Sequence, residues 1–139
     1  MIELAHFQAT QQMNCLPTCC RMVLSGLGIE ETEFALASLL KTEERRGTHW
    51  WDLPVIERFF PVEVQMGKGS ETRLQNCLDR GIPAILSVQA IIEGRTEAHV
   101  VVAVGLDDGR LLFHDPALPS GPTKIDRGIM LENWRFSGR

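Results

Sequence analysis

Up to Gly81 the apolar residues of this chain recur at helical spacing; beyond it they gather into β-branched runs. Leu16, Cys19, Cys20, Val23, Leu24 and Leu27 form one stripe. It predicts a helix over 15–27, with Pro17 in the first turn and Gly28 as the stop. Phe34, Leu36, Leu39 and Leu40 mark a second helix within 29–40, its N-terminal end favoured by Glu30, Glu31 and Glu33. A third is expected over 51–59, closed by Pro61. A fourth, 71–79, has Ser70 as its cap, Gly81 as its stop and Leu74, Cys77 and Leu78 as its buried face. Two short alternating stretches, 2–7 and 62–66, read as strands, the first an edge strand carrying a half-exposed His6.

After Gly81 the predicted strands are 83–92, 98–106, 111–114 and a short one at 123–125. A connector at 93–97 joins the first two. Asp107-Asp108-Gly109 signals a tight hairpin, and Asp115-Pro116 closes the third strand before a loop dense in turn residues at 117–122. A last helix is expected at 129–134. Helices first and an antiparallel sheet second predict an α+β domain, with the opening helix packed on the sheet. Its length, 139 residues, suits one domain, 1–139.

Composition narrows the function. The chain is 44% hydrophobic and 23% charged, a globular balance. A net charge of -4 argues against nucleic acid, which needs a basic surface. No apolar run is long enough to span a membrane, and the start lacks a charged leader with an apolar core. The expectation is a soluble, cytoplasmic protein without membrane insertion. Of the four cysteines, Cys15, Cys19 and Cys20 crowd one helix start and Cys77 lies apart. Reduced thiols fit better than bridges. Their spacing lacks the paired ligands of a zinc site, so no metal and no cofactor is expected.

Cys15 is the first candidate for chemistry. A cysteine at a helix N-terminus sits by the positive end of the macrodipole and beside unpaired N–H groups. That setting stabilises thiolate, and the same N–H groups can hold an oxyanion. A thiol nucleophile also needs a base, and the base an orienting group. His99 heads the strand His99-Val100-Val101-Val102-Ala103-Val104, at the rim of the sheet. Counting back from the hairpin puts His114 or Asp115 beside it. These neighbours point to opposite faces, so one alone joins the site. Asp115 accepting from His99 would fix its tautomer.

Several stretches together resemble the stand-alone branch of the C39 family of papain-like cysteine peptidases. They are Gln8-Ala9-Thr10, Cys15-Leu16-Pro17-Thr18-Cys19-Cys20-Arg21-Met22-Val23-Leu24, Gly47-Thr48, Gly81-Ile82-Pro83-Ala84-Ile85, Ala98 to Gly105, and His114-Asp115-Pro116-Ala117. The likeness is collinear over nearly the whole chain. It implies a papain-like fold, with Cys15 as nucleophile, His99 as base, Asp115 as orienting acid and an upstream glutamine donating to the oxyanion. Gln8 and Gln11 stand seven and four residues before Cys15, on either side of the spacing usual in the family. The Gln-Ala-Thr match favours Gln8, with Gln11 in reserve. Many relatives carry glycine where this chain has Leu16, and relatives commonly end in a further strand. A partner chain, as in a homodimer, could complete the sheet. The implied partner is a peptide or protein substrate. Two other readings keep the fold: an inactive peptide-binding module, and an acyl transferase similar to phytochelatin synthase.

Overall fold

The computed structural model describes residues 1–44, 47–92, 95–107 and 109–136, with the backbone alone at 90–92, 95–97 and 135–136. A 3-10 turn, Gln12–Asn14, leads into α1, Cys15–Gly26; α2 is Glu33–Leu39. A second 3-10 stretch, Trp50–Val55, runs into a one-turn α3, Ile56–Phe59, and α4 is Glu71–Asp79. The strands are β1 Ala84–Ile92, β2 Arg95–Leu106, β3 Arg110–His114 and β4 Thr123–Asp126, and α5, Arg127–Phe136, follows. They form one antiparallel sheet in the order β1-β2-β3-β4. Part of the expected 93–97 connector is β2 itself. Its residues 93 and 94, Asp108 of the expected turn and 137–139 lie outside the described residues.

Sequence chemistry accounts for the element ends. Ser70 caps α4 by accepting from the Arg73 N–H at 3.1 Å, and Gly81 takes the left-handed φ of 76° that ends it. Asp107 Oδ1 accepts from the N–H groups of Gly109 and Arg110 at 3.0 and 2.7 Å, which tightens the β2–β3 turn. Gly28, with φ 83°, follows α1 as expected.

Alternation along β2 divides the core in two. Val100, Val102 and Val104 meet Leu16, Cys19, Cys20, Met22 and Leu24 of α1, with Leu36 and Leu40 behind. Val101 and Ala103 meet Leu74, Leu78, Met130 and Trp134 from α4 and α5, so both faces of the sheet are covered. An ion pair from Arg127 to Glu71 ties α5 to α4.

Several expectations are corrected. Neither 2–7 nor 62–66 is a strand; the Ile2 N–H reaches Val104 O at 2.8 Å, and Val62 and Val64 pack on the α1 side as irregular chain. The third helix is mostly 3-10, with Pro54 inside it. Cys77 is half-buried rather than in the core. Phe34 turns outward, 56% exposed, while Glu33 is 4% exposed. Glu33, Leu36 and Leu40 have the three- and four-residue spacing of one helix face, so a carboxylate heads the buried stripe. Trp50 packs partly on the core, and Trp51 lies outside it, its ring stacked on His49 at 4.1 Å.

Candidate active site

Three elements converge on Cys15. It is the first residue of α1 and is half-buried. The chain before it folds into the 3-10 turn, whose Asn14 N–H donates to Gln11 O at 3.0 Å. Asn14 stands at the cap of α1 but does not cap it with its side chain, which donates instead to Glu33.

His99 is 9% exposed, and its ring meets two of the expected residues at once. Nε2 lies 2.6 Å from Asp115 Oδ1, and Cys15 acts on the same imidazole. With Nε2 occupied, Nδ1 is the atom left for sulfur. Since a carboxylate only accepts, Nε2 carries a proton, and a second proton on Nδ1 makes the ring an imidazolium. Burial pushes the His99 pKa down, but the hydrogen bonds and negative charge of Asp115 and Cys15 outweigh it and raise the value to about 9. Burial likewise pushes Asp115 up, and the His99 hydrogen bond, the Ala117 N–H at 2.9 Å and the charge of His99 bring it below the usual carboxylate range.

Asp115 does not reach His99 by the expected register. The strand pairing shifts between Ala103 and Gly105, and His114 stands opposite Val102. His99 itself pairs with Val88 of β1. Asp115 closes the gap from just beyond the end of β3, where a side chain reaches diagonally along the sheet.

His114 takes no part in that contact. It is 1% exposed and its Nδ1 lies 2.9 Å from Nδ1 of His6, whose Nε2 is 2.7 Å from Leu118 O. The Leu118 carbonyl can only accept, so His6 carries its proton on Nε2; in its neutral form its Nδ1 accepts from His114. Burial and the neighbouring His6 hold His114 below its ordinary value. The pair therefore props the loop that carries Asp115. Sequence reading placed His6 on a strand and gave no reason to join it to His114, since 108 residues separate them.

The two glutamines differ in placement. Gln8 Nε2 donates to Ala117 O at 3.3 Å, and the next N–H, of Ala9, donates to Pro116 O at 2.8 Å. Gln8 thus lies along the loop after Asp115. Gln11 is exposed at the head of the 3-10 turn. Leu16 turns its side chain into the core, 2% exposed.

The other helix cysteines are buried. Cys19 is fully buried, its Sγ 3.6 Å from Val100 O, and burial pushes its thiol far up, helped by Cys15, Cys20 and Asp115. Burial pushes Cys20 up to about 12. Iodoacetamide at neutral pH should label Cys15 in the folded protein and reach Cys19 and Cys20 only after denaturation, as peptide mapping would read out. Among the described residues no cluster of three or more His, Cys, Asp or Glu could hold a metal, and no helix is long and apolar enough to cross a membrane.

A helix that opens on Cys15 thus packs on an antiparallel sheet whose β2 carries His99 and whose β3 runs into Asp115. The sequence pattern of the family described as Peptidase_C39 like family matches residues 4–139, and the chain belongs to that family. Two solved structures share the fold. One is described as a C39-like peptidase from Bacillus anthracis, 15% identical, covering 98% of this chain and 94% of its own, with a TM-score of 0.74. The other is the peptidase domain of Streptococcus ComA, a bi-functional ABC transporter involved in a quorum-sensing pathway. It is 19% identical, covers 96% of this chain and 93% of its own, and has a TM-score of 0.69. No curated protein matches the sequence.

Proposed function

We propose that this chain is a cysteine peptidase in which Cys15, His99 and Asp115 act as a triad. The observation that carries this reading is the His99 imidazole set between Asp115, whose Oδ1 lies 2.6 Å from Nε2, and Cys15, which acts on the same ring. The Cys15 thiolate attacks the carbonyl carbon of a peptide. The oxyanion that forms meets the N-terminus of α1 and the side-chain amide of Gln8, or of Gln11. As the tetrahedral species collapses, the C–N bond breaks and His99 Nδ1 gives its proton to the leaving amine. His99, now neutral, takes a proton from water, which attacks the thioester and frees the acid and Cys15. Asp115 keeps the ring in one orientation throughout.

An inactive peptide-binding module is the second reading. Leu16 and the displaced upstream glutamine motivate it, and the Leu16 side chain is packed in the core. The deciding experiment is digestion of a mixed peptide library followed by mass spectrometry, with and without added glutathione. New free carboxyl ends are expected in both. Glutathione adducts in their place would make the protein an acyl transferase. An intact library in the presence of a Cys15 that alkylates no faster than free cysteine would leave the binding module.

A further inference from the structure

The carboxylate of Glu33 is buried beneath the chain that leads into Cys15. Oε1 accepts from the Thr10 N–H at 2.8 Å and from the Thr18 hydroxyl at 3.4 Å. Oε2 accepts from the Thr10 hydroxyl at 2.6 Å and from Asn14 Nδ2 at 2.8 Å. All four are donors to one anion, and they come from both sides of Cys15 in sequence. Burial pushes the Glu33 pKa up, yet the donors from Thr10, Asn14 and Thr18 pull it below the ordinary glutamate value. The group therefore stays ionised at neutral pH and can only accept. Hydrogen bonds to a charged acceptor are roughly twice as strong as neutral ones.

The geometry matters because of what lies between the anchors. The Thr10 N–H and hydroxyl and the Asn14 amide bracket Gln11, Gln12 and Met13, the turn that delivers Cys15. Thr10 is two residues past Gln8, whose neighbour Ala9 is held by Pro116 O. The segment from 8 to 14 is thus pinned to the Asp115 loop at one end and to α2 at the other. Neither pin touches the sulfur or the imidazole. We propose that Glu33 is a positioning residue, holding the segment that carries Gln8 and Gln11 in the place where its side-chain amide meets the oxyanion formed at Cys15. The proposal rests on the peptidase reading above. It assigns Glu33 to stabilisation of the transition state and leaves the Cys15–His99 pair to generate the nucleophile.

That division of labour gives the test. Alkylation by iodoacetamide needs the thiolate and its imidazolium but forms no oxyanion. Peptide cleavage needs all three. Displacing a reacting group by about an ångström costs roughly 100-fold in rate, and loss of one oxyanion donor about 100- to 1000-fold. Glu33→Ala is expected to lower kcat on a cleavable peptide about 100-fold, with KM and the Cys15 alkylation rate within about 3-fold of the parent. Glu33→Gln keeps the size and a single acceptor, and is expected to recover part of that kcat; it serves also where the alanine variant does not fold. Circular dichroism checks folding in each case. A folded Glu33→Ala or Glu33→Gln variant with unchanged kcat overturns the proposal and leaves the peptidase reading intact. Equal losses of alkylation and cleavage overturn it too, since Glu33 would then act on the ion pair or on the fold. A parent protein that cleaves no peptide overturns the peptidase reading and this proposal with it.

Discussion

Cys15→Ala is expected to reduce peptide cleavage by about 10^6-fold, down to what the remaining groups achieve by binding alone. Every bond-making step of the proposed cycle runs through this sulfur. Neither neighbouring thiol can replace it: Cys19 is sealed under β2, and Cys20 holds its proton to about pH 12. The substitution should leave thermal stability within about 1 kcal/mol of the parent, because the side chain is small and sits at the head of a helix, half open to water. A folded variant that still cleaves within 100-fold of the parent would remove Cys15 from the mechanism. Rates on one fluorogenic peptide, alongside a thermal melt, are sufficient.

His99→Ala should cost about 10^4-fold, the upper range for removing a general acid–base group, and the pH profile carries the more specific signature. With its pKa raised from 6.5 to about 9, His99 is an imidazolium across the neutral range and loses that proton only as the pH climbs through about 9. Activity that needs this proton for the leaving amine should therefore fall on an alkaline limb near pH 9. Asp115→Asn keeps an acceptor for Nε2 but removes the charge, so the limb should move toward the ordinary histidine value. If it moves about two units, cleavage near pH 8 drops about 10-fold from protonation alone. The stability that His99 draws from this pairing has the same sign. It is complete below about 6.5 and disappears as the pH passes through 9. A limb that stays in place in Asp115→Asn would show that the aspartate does not set the histidine's charge.

Much of this arrangement was legible in the residues themselves. The Leu16 to Leu24 stripe, the Ser70 cap, the Asp107 turn and the β-branched runs after Gly81 each state a local preference that the fold keeps. What failed were inferences needing a partner. Residues 2–7 and 62–66 alternate as strands do, but alternation says only that one side is buried, and these segments pack without a ladder. Counting from the hairpin misplaced His114 and Asp115: the Leu106–Leu111 pairing runs on to put His114 opposite Ala103, and the shift at Ala103–Gly105 moves it one position, to Val102, still three short of His99. Glu33 shared a helix face with Leu36 and Leu40 from the start. Its burial was hidden because a glutamate at a helix start normally reads as a dipole partner in water, and its donors Thr10, Asn14 and Thr18 lie on another element. His6 and His114 meet only because the chain closes on itself.

His99 and Asp115 are 16 positions apart, on β2 and just past the end of β3, whereas Cys15 precedes His99 by 84. During synthesis the thiol leaves the ribosome long before the imidazole exists. It then waits, unassisted, until the hairpin is complete and docks against α1. In the proposed mechanism a sulfur without its base cuts poorly, so the growing polypeptide and its neighbours would be spared until tertiary structure is in place. Assembly of the domain is, in that mechanism, its own safety catch.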